Sequence, residues 1–228
     1  MVLVLWMGTV ALADTVICVD RFAPVQLAVT VGLATDALAD RDIDTARARL
    51  SVALDRLPCL TEVIDPALLG HLARVVAQCH HELGHEAQAQ RWAAVSRGTG
   101  REIPWTYVFP PSHPFRQLVA GVEVPEVAQG EGHLAVPPGG GVFVNGRLLE
   151  RPEAPSQGPV LVQVFDDQQR LVDGWWQEGA RFPAGILSAL PAAVPPPLWW
   201  KGDGPTSARY RPLNLDYAPV VPITPPEP

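Results

Sequence analysis

Positive charge is nowhere concentrated in this chain. Its 17 Lys and Arg are scattered against 24 Asp and Glu, a net charge of -7. No basic cluster is dense enough to track a phosphate backbone, so no nucleic-acid partner is expected. No Gly-x-Ser-x-Gly elbow, P-loop or dinucleotide fingerprint occurs, which removes the commonest signatures of hydrolases, nucleotide hydrolases and hydride-transfer enzymes. Beyond the N-terminus, no apolar run reaches the roughly 20 residues that span a bilayer as a helix. Cysteine is scarce as well: three among 228 residues allow one intramolecular disulfide at most. What the chain has in excess is proline, 25 residues that crowd the second half. At 47% apolar residues it can build a core, either as one large domain or as two small ones.

The N-terminus reads as a secretory signal peptide over residues 1–13. Val2 to Val10 is a short apolar run, and Ala11-Leu12-Ala13 supplies the small-x-small site that leaves Asp14 as the first mature residue. No Lys or Arg precedes the run, a departure from the usual pattern. The run is too short to anchor the chain across a membrane. The expected location is therefore periplasmic or secreted, with no transmembrane segment after cleavage. In such an oxidising compartment two of the three cysteines are expected to pair. Cys18 lies in an extended stretch and Cys59 follows Pro58 at a helix end, where a backbone can adjust to disulfide geometry. Cys79 shares a helical stripe with Leu72, Val76 and Leu83, which suits a buried thiol. Cys18–Cys59 is the expected pair; three unpaired core thiols is the alternative.

Residues 14–120 read as a helical domain. Leu27, Val31, Ala34 and Leu38 form one stripe of a helix over 25–39. A second helix carries Ala46, Leu50, Ala53, Leu54 and Leu57 inward, with Asp42 or Asp44 at its cap and Pro58 at its end. Asp65-Pro66 opens a third, with Leu69, Leu72, Val76, Cys79 and Leu83 on its stripe. A fourth carries Ala87, Trp92, Ala94 and Val95 and stops at Gly98-Thr99-Gly100. Residues 104–120 hold Trp105, Tyr107, Phe109 and Phe115 among prolines and read as a strip over the last helix, with a short helix near 115–120. From Val122 the period changes. Val142–Val144 followed by Asn145-Gly146 is a strand and hairpin turn, and Val160–Phe165 and Arg170–Trp176 are further strands. The expected fold is α+β: antiparallel helical hairpins, then a small, half-buried antiparallel β domain over 121–190, then an extended Pro-rich tail over 191–228 whose Trp199-Trp200 pair docks on the sheet, the commoner case, or on a partner.

Two resemblances refine this outline. Asp44–Ala53 lines up with His85–Ala94 at a spacing of 41 residues. Leu83-Gly84, with Glu86-Ala87 and Ala89 after it, resembles the interhelical turn of tetratricopeptide repeats. That resemblance covers about residues 25–98 and implies hairpin repeats that bind a protein partner on a concave surface, here rimmed by Trp92, Trp105 and Tyr107. Two repeats bury too little alone, so another element should pack on them. The Val-x-Val-Asn-Gly strand with the later Val-x-Val-Phe-Asp strand resembles the small PEGA-type sandwich of bacterial surface proteins.

One string admits catalysis. His81-Glu82-Leu83-Gly84-His85 resembles the signature of zinc-dependent peptidases, in which two imidazoles at i and i+4 of one helix hold Zn²⁺ and the glutamate activates its water. A third ligand is needed. The metzincin pattern would place Gly at 88 and His at 91, where this chain has Gln88 and Arg91; Glu102 and His113 are the remaining candidates. The same letters also read as a helix end, a glycine turn and a helix start. The expected function is thus a noncatalytic, exported protein-interaction or scaffold module of the bacterial cell envelope, without a cofactor. The alternative is a zinc metallopeptidase using Glu82, His81 and His85.

Overall fold

The computed structural model describes residues 18, 21–105, 109–124, 129–149, 153–155, 159–178, 187–188 and 196–200. The expected signal peptide over 1–13, Tyr107 and the chain from 201 onward lie outside these. Among the described residues five helices come first: α1 (Pro24–Ala39), α2 (Ile43–Arg56), α3 (Pro66–Glu82), α4 (Glu86–Gly98) and α5 (Pro114–Gly121), with a 3-10 turn at Leu57–Cys59. The sequence dictates their starts. Asp42 Oδ1 accepts from Thr45 N–H at 3.1 Å, and Asp65 Oδ1 accepts from Ala67 N–H at 2.7 Å with Pro66 in the first turn. None of the helices among the described residues is long and apolar enough to cross a membrane.

Both hairpins turn the same way. After α3, Gly84 adopts φ +74, its N–H donates to His81 O at 2.9 Å, and His85 N–H donates to His80 O at 2.8 Å. After α1, Arg41 adopts φ +62, its N–H donates to Leu38 O, and Asp42 N–H donates to Ala37 O. This bond pair closes a helix whose next residue is left-handed. The N-caps Asp42 and His85 stand 43 residues apart, and the buried Ala46, Leu50 and Ala53 of α2 correspond to Ala89, Ala93 and Ser96 of α4. The spacing of 41 expected from matching alanines is thus corrected to 43. The backbone turn fixes where each helix starts, and the alanine letters do not. Arg41 takes the position that a glycine holds in the second hairpin.

Among the described residues seven strands follow in two antiparallel sheets, so the fold is α+β. The four-stranded sheet runs β3 (Arg147–Leu148), β2 (Gly141–Val144), β5 (Pro159–Phe165), β6 (Leu171–Glu178); the three-stranded one runs β4 (Glu153–Pro155), β1 (Gln129–Leu134), β7 (Leu187–Ser188). Asn145 (φ +51) and Gly146 (φ +77) make the tight β2–β3 turn.

The larger sheet is not half-buried, as its sequence pattern had suggested. Val142, Val144, Val160, Val162, Val164 and Trp175 cluster with Leu134 of the other sheet. The alternate residues turn the opposite way. Leu161 joins the helical core, and Phe143 and Phe165 meet Val63 and the Trp199-Trp200 pair. Both faces of the central strands are therefore covered, which explains the nearly continuous apolar run of β5. Its one polar residue, Gln163, is 0% exposed; it accepts from Ile64 N–H at 3.0 Å and donates to Glu62 O at 2.9 Å. Helices and sheet thus share a core.

Candidate functional site

The α3–α4 turn carries the histidine string. α3 ends at Glu82 and α4 starts at Glu86 with His85 as its N-cap, so Gly84 separates the two imidazoles. His81 and His85 therefore lose the i, i+4 relation that a zinc helix requires. The His81 ring lies 5.5 Å from Phe115, and its Nδ1 is 3.6 Å from Glu86 Oε2. His85 instead faces His80, with ring centroids 5.8 Å apart. Glu82 is exposed. Among the described residues, no group of three or more His, Cys, Asp or Glu converges on a point that would hold a metal. The donor set at the turn does not fit a catalytic zinc ion. A shallow cavity of about 370 Å³ lies beside it, between α4 and α5, edged by Glu86, Gln90, Gln117 and Glu123.

The aromatic residues expected on a binding rim behave differently from one another. Trp92 is not on the surface: it is 4% exposed and stacks on Trp176 of β6 at 5.3 Å, joining helices to sheet. Trp105 is half-buried between two guanidinium groups, Arg74 at 4.2 Å and Arg116 at 5.3 Å from its ring centroid. Arg74 Nη1 donates to Ile103 O at 2.7 Å, and Arg116 Nη1 donates to Phe109 O at 3.1 Å. These two arginines clasp the strip to α3 and α5. Tyr107 lies outside the described residues.

Burial draws the Arg74 pKa down to about 10, with the Arg116 charge adding to the effect. His71, one turn earlier on α3, is held at about 4 against an ordinary 6.5, first by desolvation and then by the Arg74 charge. The folded state therefore takes up this proton less readily than the unfolded chain. The stability His71 supplies is complete above pH 6.5 and is lost as pH falls toward 4, on the order of 3 kcal/mol in all. Urea denaturation at neutral pH and at about pH 4.5 should show this loss in the native chain and a much smaller one in His71→Gln. Equal losses in both would rule His71 out as the source.

The surface that sequence reasoning missed is the outer face of α1. Its inner stripe, Leu27, Val31, Ala34 and Leu38, is buried as expected. The opposite side is also apolar, with Val25 67%, Val29 49% and Leu33 42% exposed. Asp36 is the one charged residue in the 16 of this helix. A helix that is apolar all round is one that is covered all round. The signal was present in the absence of a polar face on PVQLAVTVGLATDALA.

Cys18 and Cys59 are joined as a disulfide, with Cα atoms 5.4 Å apart, and Cys79 is a buried free thiol. The bridge fixes the strap in front of α1, where Phe22 pairs in parallel with Leu60. Comparison with family models, with curated proteins and with solved structures gave no match.

Proposed function

We propose that this chain is a noncatalytic protein-interaction or scaffold module, exported to the bacterial periplasm or beyond and working in the cell envelope. The observation that carries this reading is the exposed apolar face of α1, the first described helix, whose opposite stripe packs on α2 and α3. In repeat stacks an uncovered terminal hairpin calls for a cap or a partner. The two similarly closed hairpins support a tetratricopeptide-like role for the helical half, and the small antiparallel sheets a PEGA-like role for the other. Export is supported by the disulfide, since such bonds persist in oxidising compartments. Cleavage after Ala13 would leave Cys18 in the mature chain.

Two measurements test this. Fractionation with N-terminal sequencing should find a mature chain starting at Asp14 outside the cytosol; an intact, reduced chain in the cytosol would sink the export claim. Metal analysis of the purified protein should find no stoichiometric zinc, and Glu82→Gln should change no peptide hydrolysis. Bound zinc that disappears in His81→Ala would replace the scaffold reading with the peptidase one.

A further inference from the structure

The outer face of α1 has a spacing of its own. Val25, Val29, Gly32 and Asp36 recur at intervals of four, three and four residues, the interval of a helix–helix seam. This is the same spacing as the buried stripe on the opposite side, Leu27, Val31, Ala34 and Leu38. The face is also notched at its middle. Gly32 has no Cβ, and a Cβ built there would meet nothing within 4 Å. A knob from another helix can enter at that point.

We propose that a second copy of this chain covers the face, the two α1 helices packing antiparallel about a two-fold axis. In that register Val29 of each copy sits over Gly32 of the other, Ala28 meets Leu33, and Val25 meets Asp36. The seam is self-complementary, as a two-fold interface requires, because the same patch must serve both sides. Charge agrees with the antiparallel sense. Asp36, the only charge on the helix, comes to the start of the other α1, where the first turn carries no acidic residue. A carboxylate is favoured at that positive end of the helix dipole. A parallel pairing would instead set the two Asp36 side chains together. Lipid is a poor occupant, since α1 has no Lys or Arg to meet anionic headgroups.

This assigns a partner to the surface on which the proposed function rests, and its test separates the two. Sedimentation of the purified protein over rising concentration should show a monomer–dimer equilibrium. A contact limited to one helix face is small, so the dissociation constant should fall near the micromolar range. Gly32→Leu is the decisive variant. It adds apolar surface and removes a helix-interior glycine, so a merely sticky face would associate more strongly. If Val29 needs the notch, Gly32→Leu weakens dimerisation about tenfold or more while the melting temperature holds or rises. Asp36→Lys should also weaken it, several-fold. A native chain that stays monomeric at hundreds of micromolar, or a Gly32→Leu chain that dimerises as tightly as the native one, overturns self-pairing. Neither result touches the interaction-module reading, which stands or falls on the zinc and export measurements.

Discussion

Replacing Cys18 and Cys59 together with serine should lower the melting temperature by roughly 8–16 °C, the largest effect expected of any substitution that leaves the helices intact. The disulfide closes a loop with a sequence separation of 41 residues. In the chain-entropy model a loop of that length, once opened, returns about 4 kcal/mol of freedom to the unfolded chain. The folded state loses little that is not already held by other contacts. Phe22 is 3% exposed, its N–H donates to Cys59 O at 3.3 Å, and its O accepts from Thr61 N–H at 2.9 Å. Arg56 lies over its ring at 5.8 Å. The strap should therefore stay docked below the transition, with the loss appearing as earlier unfolding. Calorimetry of the double-serine variant against the native chain, each with and without reductant, checks this. Reductant should bring the native chain to the variant's transition and leave the variant unmoved. Cys79→Ser serves as the control, because burial raises the Cys79 thiol pKa and keeps it out of exchange. A reduced native chain that melts where the oxidised one does would remove the bridge from the account of stability.

The disulfide was legible in the sequence because each cysteine sits in a local pattern with a plain meaning: one extended, one after a helix-ending proline, one on a helical stripe. The helices were legible for the same reason. Asp42, Asp65 and Pro66 mark starts, and the stripe of apolar residues fixes the inner face. The Asn145-Gly146 turn declared its hairpin. What could not be read was anything set by the meeting of distant elements. Trp92 looked like a rim residue because nothing near it in sequence announces Trp176, which lies beyond α5 and the five strands β1 to β5. The β half looked half-buried because a strand cannot declare what covers its second face. The histidine string was ambiguous for a local reason: a single left-handed residue, Gly84, decides whether two imidazoles share a helix. The outer face of α1 was visible in the letters, since Val25, Val29 and Leu33 stand where an ordinary surface helix carries polar residues.

Gln163 is where the distant elements are tied. Gln163→Leu should destabilise the protein by about 1–2 kcal/mol, although the strand pattern argues for the opposite sign. β5 reads PVLVQVF, and leucine would complete its apolar run. It would bury well among Phe143, Phe165 and Val63, a gain of about 1.5–2 kcal/mol. Against that stand two backbone groups. Ile64 N–H and Glu62 C=O lie in the loop before α3, and the Gln163 carboxamide bonds both at 3.0 and 2.9 Å. With leucine in its place the buried Ile64 N–H lacks that partner, at about 1–3 kcal/mol, and the part-buried bond to Glu62 C=O is lost at about 1 kcal/mol. Polar satisfaction outweighs the apolar gain, so the carboxamide ties the sheet to the loop. Equilibrium urea denaturation of Gln163→Leu, with the exposed Gln168→Leu as a comparison within about 0.5 kcal/mol of native, reads the sign directly. Tryptophan fluorescence adds a second readout, because the Trp92–Trp176 stack bridges the same junction. A Gln163→Leu chain as stable as the native one, with unchanged emission, would mean that the sheet is held by apolar contact alone and that helices and strands meet without the polar tie.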